Sequence, residues 1–244
     1  MQLYYYEEGN LLVQYSSGNR IISLSGDEGA HLKVMRLKQG ELIHITDGLG
    51  NLCKAKILDA SNKKINAVEL IDIISSQPSN YSVHIAVAPT KNIARFEWFL
   101  EKATEFGINE ITPFYSEHSE RIKLRPDRLN KILISAMKQS LKTFLPVLHE
   151  PTSLETLIKK VSLGNEKKFI AWLDREGQQK HLLSVCRQGS SVIVLIGPEG
   201  DFSLREIEQA RANGFLPVHL GKSRLRTETA ALAACLIVNL ANES

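Results

Sequence analysis

Two uninterrupted apolar runs, Lys168-Phe-Ile-Ala-Trp-Leu173 and Ser191-Val-Ile-Val-Leu-Ile196, most constrain the fold of this chain. Successive side chains of a strand point to opposite faces, so a strand with one wet face alternates polar and apolar residues. A run without alternation belongs to a strand covered on both faces, as in a parallel sheet flanked by helices. The second run leads into Gly197-Pro-Glu-Gly200 and then Ser203-Leu-Arg-Glu206, a capping box that predicts a helix to about Asn213. A short strand, Pro217-Val-His-Leu220, precedes Gly221-Lys-Ser-Arg-Leu-Arg-Thr-Glu228 and a helix expected over Glu228–Asn239, with Thr227 as its cap. Upstream, Tyr81–Ala88 and Glu110–Tyr115 read as strands. Ile93–Phe106 reads as an amphipathic helix with Phe96, Phe99, Leu100 and Ala103 on one face and Gly107 as its stop. Pro126 opens a helix expected to run to about Phe144. Strand–helix alternation over residues 81–244 predicts an α/β domain with a mostly parallel sheet.

Residues 1–73 follow another rule. Glu41-Leu-Ile-His-Ile-Thr46 alternates and ends at the turn signal Asp47-Gly48, and the runs at 52–58 and 64–73 follow closely. Short strands at this spacing predict a small β-barrel. Residues 74–80, centred on Ser75-Ser-Gln-Pro-Ser-Asn80, are polar and contain proline, as a linker between the domains would be.

Several function classes are excluded early. The longest apolar stretch, Ala230 to Ala241, is too short to cross a membrane, which takes ~20 residues. The first residues carry neither the basic nor the apolar region of a secretory signal. Cys53, Cys186 and Cys235 are odd in number and far apart, which argues against disulfides or zinc and for the cytoplasm. The seven histidines show no metal-ligand spacing, so no metal is expected. The net charge of +3 says little by itself. Its distribution says more: Arg121, Lys123, Arg125, Arg128, Lys131, Lys138 and Lys142 crowd one stretch. On a helix starting at Pro126, Arg128, Lys131, Lys138 and Lys142 form a stripe beside the apolar face. That stripe suits RNA phosphates, and it is equally what a solvated helix face looks like.

In open α/β sheets ligands bind beyond the carboxyl ends of strands, where both glycine-bearing loops fall. Glycine lets a ligand approach the backbone, although Gly197-Pro-Glu-Gly200 alone is also an ordinary tight turn. Gly221-Lys-Ser223 resembles the end of a phosphate-binding loop, but position 216 is leucine where that loop needs glycine. No GxGxxG follows a strand, so a dinucleotide site lacks support. Arg224, Arg226 and Glu228 sit at the start of the last helix. Glu228 is favoured there by the helix dipole whatever its role; Arg226 stands against that dipole and is the stronger functional candidate.

Gly197-Pro-Glu-Gly-Asp-Phe-Ser203 followed by Leu220-Gly-Lys-Ser-Arg-Leu-Arg-Thr-Glu-Thr-Ala230 resembles the cofactor loops of SPOUT-class methyltransferases. The pair is similar to the ribosomal RNA small subunit methyltransferase E family, which methylates N3 of a uridine in 16S ribosomal RNA. The resemblance extends to His31-Leu-x-x-Met-Arg36, Lys102-Ala-Thr-Glu105, Glu117-His-Ser119 and Gln139-Ser140. Asp201 departs from the glycine common there, and Lys142 from an arginine. The resemblance implies a PUA-like barrel at 1–73 and a SPOUT domain at 81–244 with a C-terminal trefoil knot. It implies S-adenosylmethionine as cofactor, small-subunit ribosomal RNA as partner, and a homodimer joined at the knot and the last helix. Arg226 is then the expected catalytic cation, with Glu228 orienting it or assisting proton removal. Leu173, Ile196, Gly197, Glu199, Gly200, Leu220, Gly221, Leu225 and Thr227 are expected to hold the cofactor. His31, Arg36, Arg121, Arg128, Lys131, Lys138 and Lys142 are expected to hold RNA. A ribose-methylating SPOUT enzyme acting on transfer RNA, or a non-catalytic RNA-binding protein, are the alternatives.

Overall fold

The computed structural model describes residues 2–59, 65–120, 123–172 and 179–243. They form two compact units, Met1–Pro78 with Ile134–Leu145, and Ser79–Leu133 with Pro146–Ser244.

The first unit contains β1 (Leu3–Tyr5), α1 (Leu11–Ser16), β2 (Ile21–Ser25), α2 (Gly26–Val34), β3 (Leu42–Thr46), β4 (Asn51–Asp59) and β5 (Ile65–Ser75). The sheet order is β1-β3-β4-β5-β2; β1 pairs with β3 in parallel and the other pairs are antiparallel. Among the described residues the edge strands β1 and β2 do not pair with each other, so the expected barrel is an open five-stranded sheet by its hydrogen bonds. Its core gathers Tyr4, Leu11, Leu24, Ile45, Ile57 and Leu70, all buried. The β3–β4 turn is organised by buried Asp47, whose carboxylate accepts the N–H groups of Leu11 and Leu49 at 2.9 Å and the Asn51 side-chain amide at 2.7 Å. Gly48 (φ +72) and Gly50 (φ +96) take backbone conformations that favour glycine. Leu145 donates to the Gly48 carbonyl and Gly50 donates to Thr143, which draws Ile134–Leu145 into this unit. β5 continues through Ser75, two residues past the expected boundary, because Ser76 still donates to Gly50.

The second unit contains β6 (Val83–Val87), α3 (Ile93–Glu105), β7 (Glu110–Tyr115), α4 (Pro126–Gln139), β8 (Val147–Leu148), β9 (Thr152–Ser153), α5 (Leu154–Val161) and β10 (Lys167–Ala171). It continues with β11 (Lys180–His181), α6 (Leu182–Val185), β12 (Val192–Ile196), α7 (Leu204–Ala212), β13 (Leu216–His219) and α8 (Thr227–Glu243). The end of α4 falls in the first unit. All pairings in this sheet are parallel, in the order β11-β13-β10-β12-β6-β7-β8, with β9 also beside β7. β12 is buried at every position, as its unbroken apolar run requires, whereas β10, the other such run, is fully buried only at Phe169 and Ile170; β6 is buried throughout although it carries His84.

Two helices end elsewhere than expected. α4 stops at Gln139 rather than near Phe144: Leu141 takes φ +56, and Lys142 donates back to the Met137 carbonyl, which closes the last turn. α8 begins at Thr227 and runs to Glu243, four residues beyond Asn239. Its packed side holds Ala231, Ala234, Cys235 and Val238, while Leu240 is 46% exposed.

Candidate active site

The loops after β10, β12 and β13 border one cavity of about 730 Å³ at the carboxyl ends of those strands. Ile196, Gly197, Glu199, Leu220, Gly221, Leu225, Arg226 and Thr227 line it, all expected from sequence. Gly200 does not; a Cβ there would stand 2.9 Å from that of His118, so this glycine lets two loops meet. Leu173 lies outside the described residues; its neighbour Trp172 lines the cavity. Glu228 is buried and does not line it.

The loop after β12 is held from three sides. Ser203 caps α7, and the Glu206 carboxylate accepts the N–H of Ser203 and that of Glu117, each at 2.9 Å. The Asp201 carbonyl lies 2.9 Å from His118 Nδ1, and Glu199 accepts the Lys91 N–H at 3.0 Å. Asp201 adopts φ +61, a conformation in which a glycine would be at ease. Burial pushes its carboxyl above the ordinary value, opposed by the Phe202 N–H, Arg224 and His118. A Cβ at Gly197 would meet the Phe202 ring at 3.0 Å.

The loop after β13 is open where the first is packed. Gly221 has φ +139 with nothing within 4 Å of where a Cβ would stand, so its backbone faces free space. Its N–H donates to His219 Nδ1 at 3.2 Å, which fixes the loop's exit from the strand. The apolar wall is built by Ile196, Val218, Leu220 and Leu225. The charged wall holds Arg95, Arg224 and Arg226 against Glu199 and Asp201. Both acids accept backbone N–H groups, from Lys91 and Phe202. Arg95 comes from α3 and had no signal in the sequence beyond a charge near a helix start. Its Nε lies 3.8 Å from Glu228 Oε1.

The residues expected to hold RNA are not equivalent. Arg121 lies outside the described residues. His31, on α2, is 3.1 Å from the Gln2 side chain and packs against the Tyr4 ring; Arg36 is exposed just past α2 at φ +55. Arg128 is exposed and forms a two-point pair with Glu97, at 2.6 and 2.9 Å. Lys131 is exposed on α4. Lys138 is paired with Glu28, and both side chains are more than four-fifths buried. Lys142 is half-buried in the turn beyond α4, so it leaves the helical stripe.

His84, Glu110 and His149 come together at the amino-terminal ends of β6 and β7, away from the cavity, with one potential ligand atom each within 4.8 Å of the others. Sequence spacing could not show this, because β6, β7 and the residue just past β8 supply them. The groups are engaged with their surroundings: His149 Nε2 pairs with Glu110 at 2.7 Å, and His84 Nε2 with the Thr112 hydroxyl at 2.8 Å. No helix among the described residues is long and apolar enough to cross a membrane.

Comparison with known proteins points to one chemistry. Residues 77–239 match a family described as RNA methyltransferase domain, and residues 24–70 one described as RNA methyltransferase PUA domain. The chain is 31% identical to ribosomal RNA small subunit methyltransferase E of Mesomycoplasma hyopneumoniae over 83% of its length and 86% of the relative's. Its fold is similar to that of the “probable rRNA-methyltransferase” of Porphyromonas gingivalis, with TM-score 0.86, 37% identity, and 100% and 99% of the two chains covered. It is also similar to ribosomal RNA small subunit methyltransferase E of Neisseria gonorrhoeae bound to S-adenosyl methionine, with TM-score 0.81, 28% identity, and 96% and 95% covered.

Proposed function

Because the chain belongs to the ribosomal RNA small subunit methyltransferase E family, we propose that it methylates N3 of a uridine in small-subunit ribosomal RNA. That it is an S-adenosylmethionine-dependent ribosomal RNA methyltransferase follows from its membership and from the cofactor seen in its structural relative. The observation that carries the reading here is that both glycine-bearing loops border one and the same cavity.

The cavity suits the cofactor. Its volume is that of a small-molecule site. Its apolar wall and the open backbone at Gly221 suit a ligand with an uncharged aromatic part held by main-chain groups. When bound, S-adenosylmethionine supplies the methyl group. Ile196, Gly197, Leu220, Gly221 and Leu225 would hold it, with Trp172 beside them. The uracil N3–H must lose its proton, and the negative charge then spreads over the two flanking carbonyl oxygens. Arg226 is exposed at the cavity wall and donates no hydrogen bond within the described residues, so its guanidinium is available for that charge.

The finer architecture belongs to the same reading. β13 lies between β10 and β11 although it follows both in sequence, which supports the trefoil knot the sequence motifs imply. A homodimer is supported by the exposed Trp98, Phe106 and Leu240 on α3, its cap and α8, two helices that pack together. Sedimentation at a mass near 27 kDa would exclude it. Action in the cytoplasm fits a ribosomal substrate and three free cysteines. The direct test is calorimetric titration with S-adenosylmethionine, followed by mass analysis of small-subunit ribosomal RNA nucleosides from cells lacking the gene. No heat of binding, or an unchanged 3-methyluridine content, would overturn the reading.

A further inference from the structure

We infer that Arg95 is a second cation acting on the target nucleotide, and that Glu228 is the residue that positions it. The inference rests on the reading of this cavity as a methyl-transfer site. Among the described residues, every other side chain lining the cavity comes from the ends of β10, β12 and β13, their following loops, or the first turns of α8. Those are the segments that suit the cofactor. Arg95 alone comes from α3, which follows β6, the strand beside β12. It therefore forms the wall that the cofactor loops leave to the other reactant.

Glu228 explains how a half-exposed arginine is kept at that wall. The carboxylate is 7% exposed, on the first turn of α8, where the helix dipole favours negative charge. Its Oε2 is buried with no hydrogen-bond partner among the described residues, and its Oε1 faces Arg95 Nε at 3.8 Å. A buried carboxylate so poorly satisfied is costly unless a cation stays beside it. Arg95 is the one cation that pairs with it among the described residues. The pairing uses Nε, which leaves both Nη groups as donors for a ligand. The two acids in the cavity accept backbone N–H groups, so they do not claim those donors. What a planar, two-pronged donor binds best is an anionic oxygen, here a uracil carbonyl oxygen carrying developing charge or the phosphate of the same nucleotide. Glu228 thereby acts through Arg95 rather than by taking the N3 proton.

The test uses the full-length protein, purified ribosomal RNA substrate and labelled S-adenosylmethionine. Wild-type transfer is measured first; its absence would overturn the functional reading, and this inference with it, before any variant is compared. Arg95→Ala should leave cofactor affinity within about twofold and lower single-turnover transfer by about 10²-fold, the size of losing one preorganised donor. Arg95→Lys should recover part of the rate. Glu228→Gln, close in shape, should lose rate without losing cofactor affinity, and the double variant should be no slower than Arg95→Ala alone. If the loss in Arg95→Ala persists at saturating RNA, the carbonyl oxygen is the partner; if it appears only as a raised KM for RNA, the phosphate is. Cofactor affinity falling in step with the rate, wild-type transfer by Arg95→Ala, or independent effects of the two substitutions would each overturn the inference.

Discussion

Glu117 and Glu206 are 89 positions apart and are joined by a 2.9 Å hydrogen bond from the Glu117 N–H to Glu206 Oε1. The same carboxylate caps α7 through the Ser203 N–H. One buried side chain thus ties the loop after β7 to the loop that borders the cavity. Glu206→Ala would strand two backbone donors, and a loss of about 2 kcal/mol is expected from the cap and the unmade bonds together. Urea unfolding would register the lower midpoint. Calorimetry should show weaker cofactor binding in the protein that remains folded. A variant with unchanged affinity would mean the β12 loop holds its shape without this tie.

Gly221 and Gly197 should fail differently when replaced. Gly221 sits at φ +139 beside open space, so Gly221→Val introduces backbone strain and a side chain where the cofactor is expected. Binding should vanish while the fold survives. At Gly197, a Cβ meets the Phe202 ring, so Gly197→Val should lower thermal stability as well as affinity. Differential scanning calorimetry with and without cofactor separates the two outcomes.

Arg226→Ala should slow methyl transfer by about 10²–10³-fold with little change in cofactor affinity, since the lost charge matters only in the transition state. Arg226→Lys should recover part of that, because a point charge lacks the planar fork. Transfer at the wild-type rate with saturating RNA would remove Arg226 from the chemistry.

Lys138 and Lys131 share α4 yet should behave differently. Lys138 is buried against Glu28, and Lys138→Ala should cost roughly 3 kcal/mol of stability by stranding that carboxylate. Lys131→Ala should leave stability nearly unchanged and flatten the salt dependence of RNA binding by ~0.7–0.9 logarithmic units per logarithmic unit of salt. Equal salt slopes in wild type and Lys131→Ala would mark this face as merely solvated.

The His84 imidazole is pulled down from 6.5 to about 4, chiefly by burial, with His149 and Lys160 adding to the shift and Glu110 opposing it. It stays neutral in the fold while the unfolded chain takes up a proton. Its contribution to stability is therefore complete above about pH 6.5 and is lost as pH falls toward 4, by up to roughly 3 kcal/mol at 1.36 kcal/mol per unit. The difference in urea midpoint between wild type and His84→Gln, followed from pH 7 to 4, should shrink across that window. A constant difference would show that His84 does not titrate there.

Much of the second unit is legible because its signals are local. The apolar face of α3 and Gly107 mark that helix, Ser203 and Glu206 start α7, and the unbroken run at β12 announces a strand covered on both faces. The cavity residues that belong to the two glycine-bearing loops are legible for the same reason. Arg95 is not, since the residue it meets lies 133 positions away on another helix. The end of α4 is hidden by Leu141, an ordinary residue in a left-handed conformation that pattern alone does not foresee. Short elements such as β1 and β11 are two or three residues long, below what periodicity can register; they exist only because neighbours pair with them.

The place of β13 between β10 and β11 sets a timetable for the newborn chain. Translation delivers β10 and β11 first, so the gap they flank must stay unfilled until Leu216–His219 has left the ribosome. Until then the edge of β10 carries unpaired backbone groups, and the cavity lacks the loop that bears Gly221 and Arg226. On the proposed reading of that cavity, the methyl-transfer site is incomplete for nearly the whole of the chain's own synthesis. A chain stopped before β13 would be left with an exposed sheet edge as well as without activity, which makes it a natural target for proteolysis.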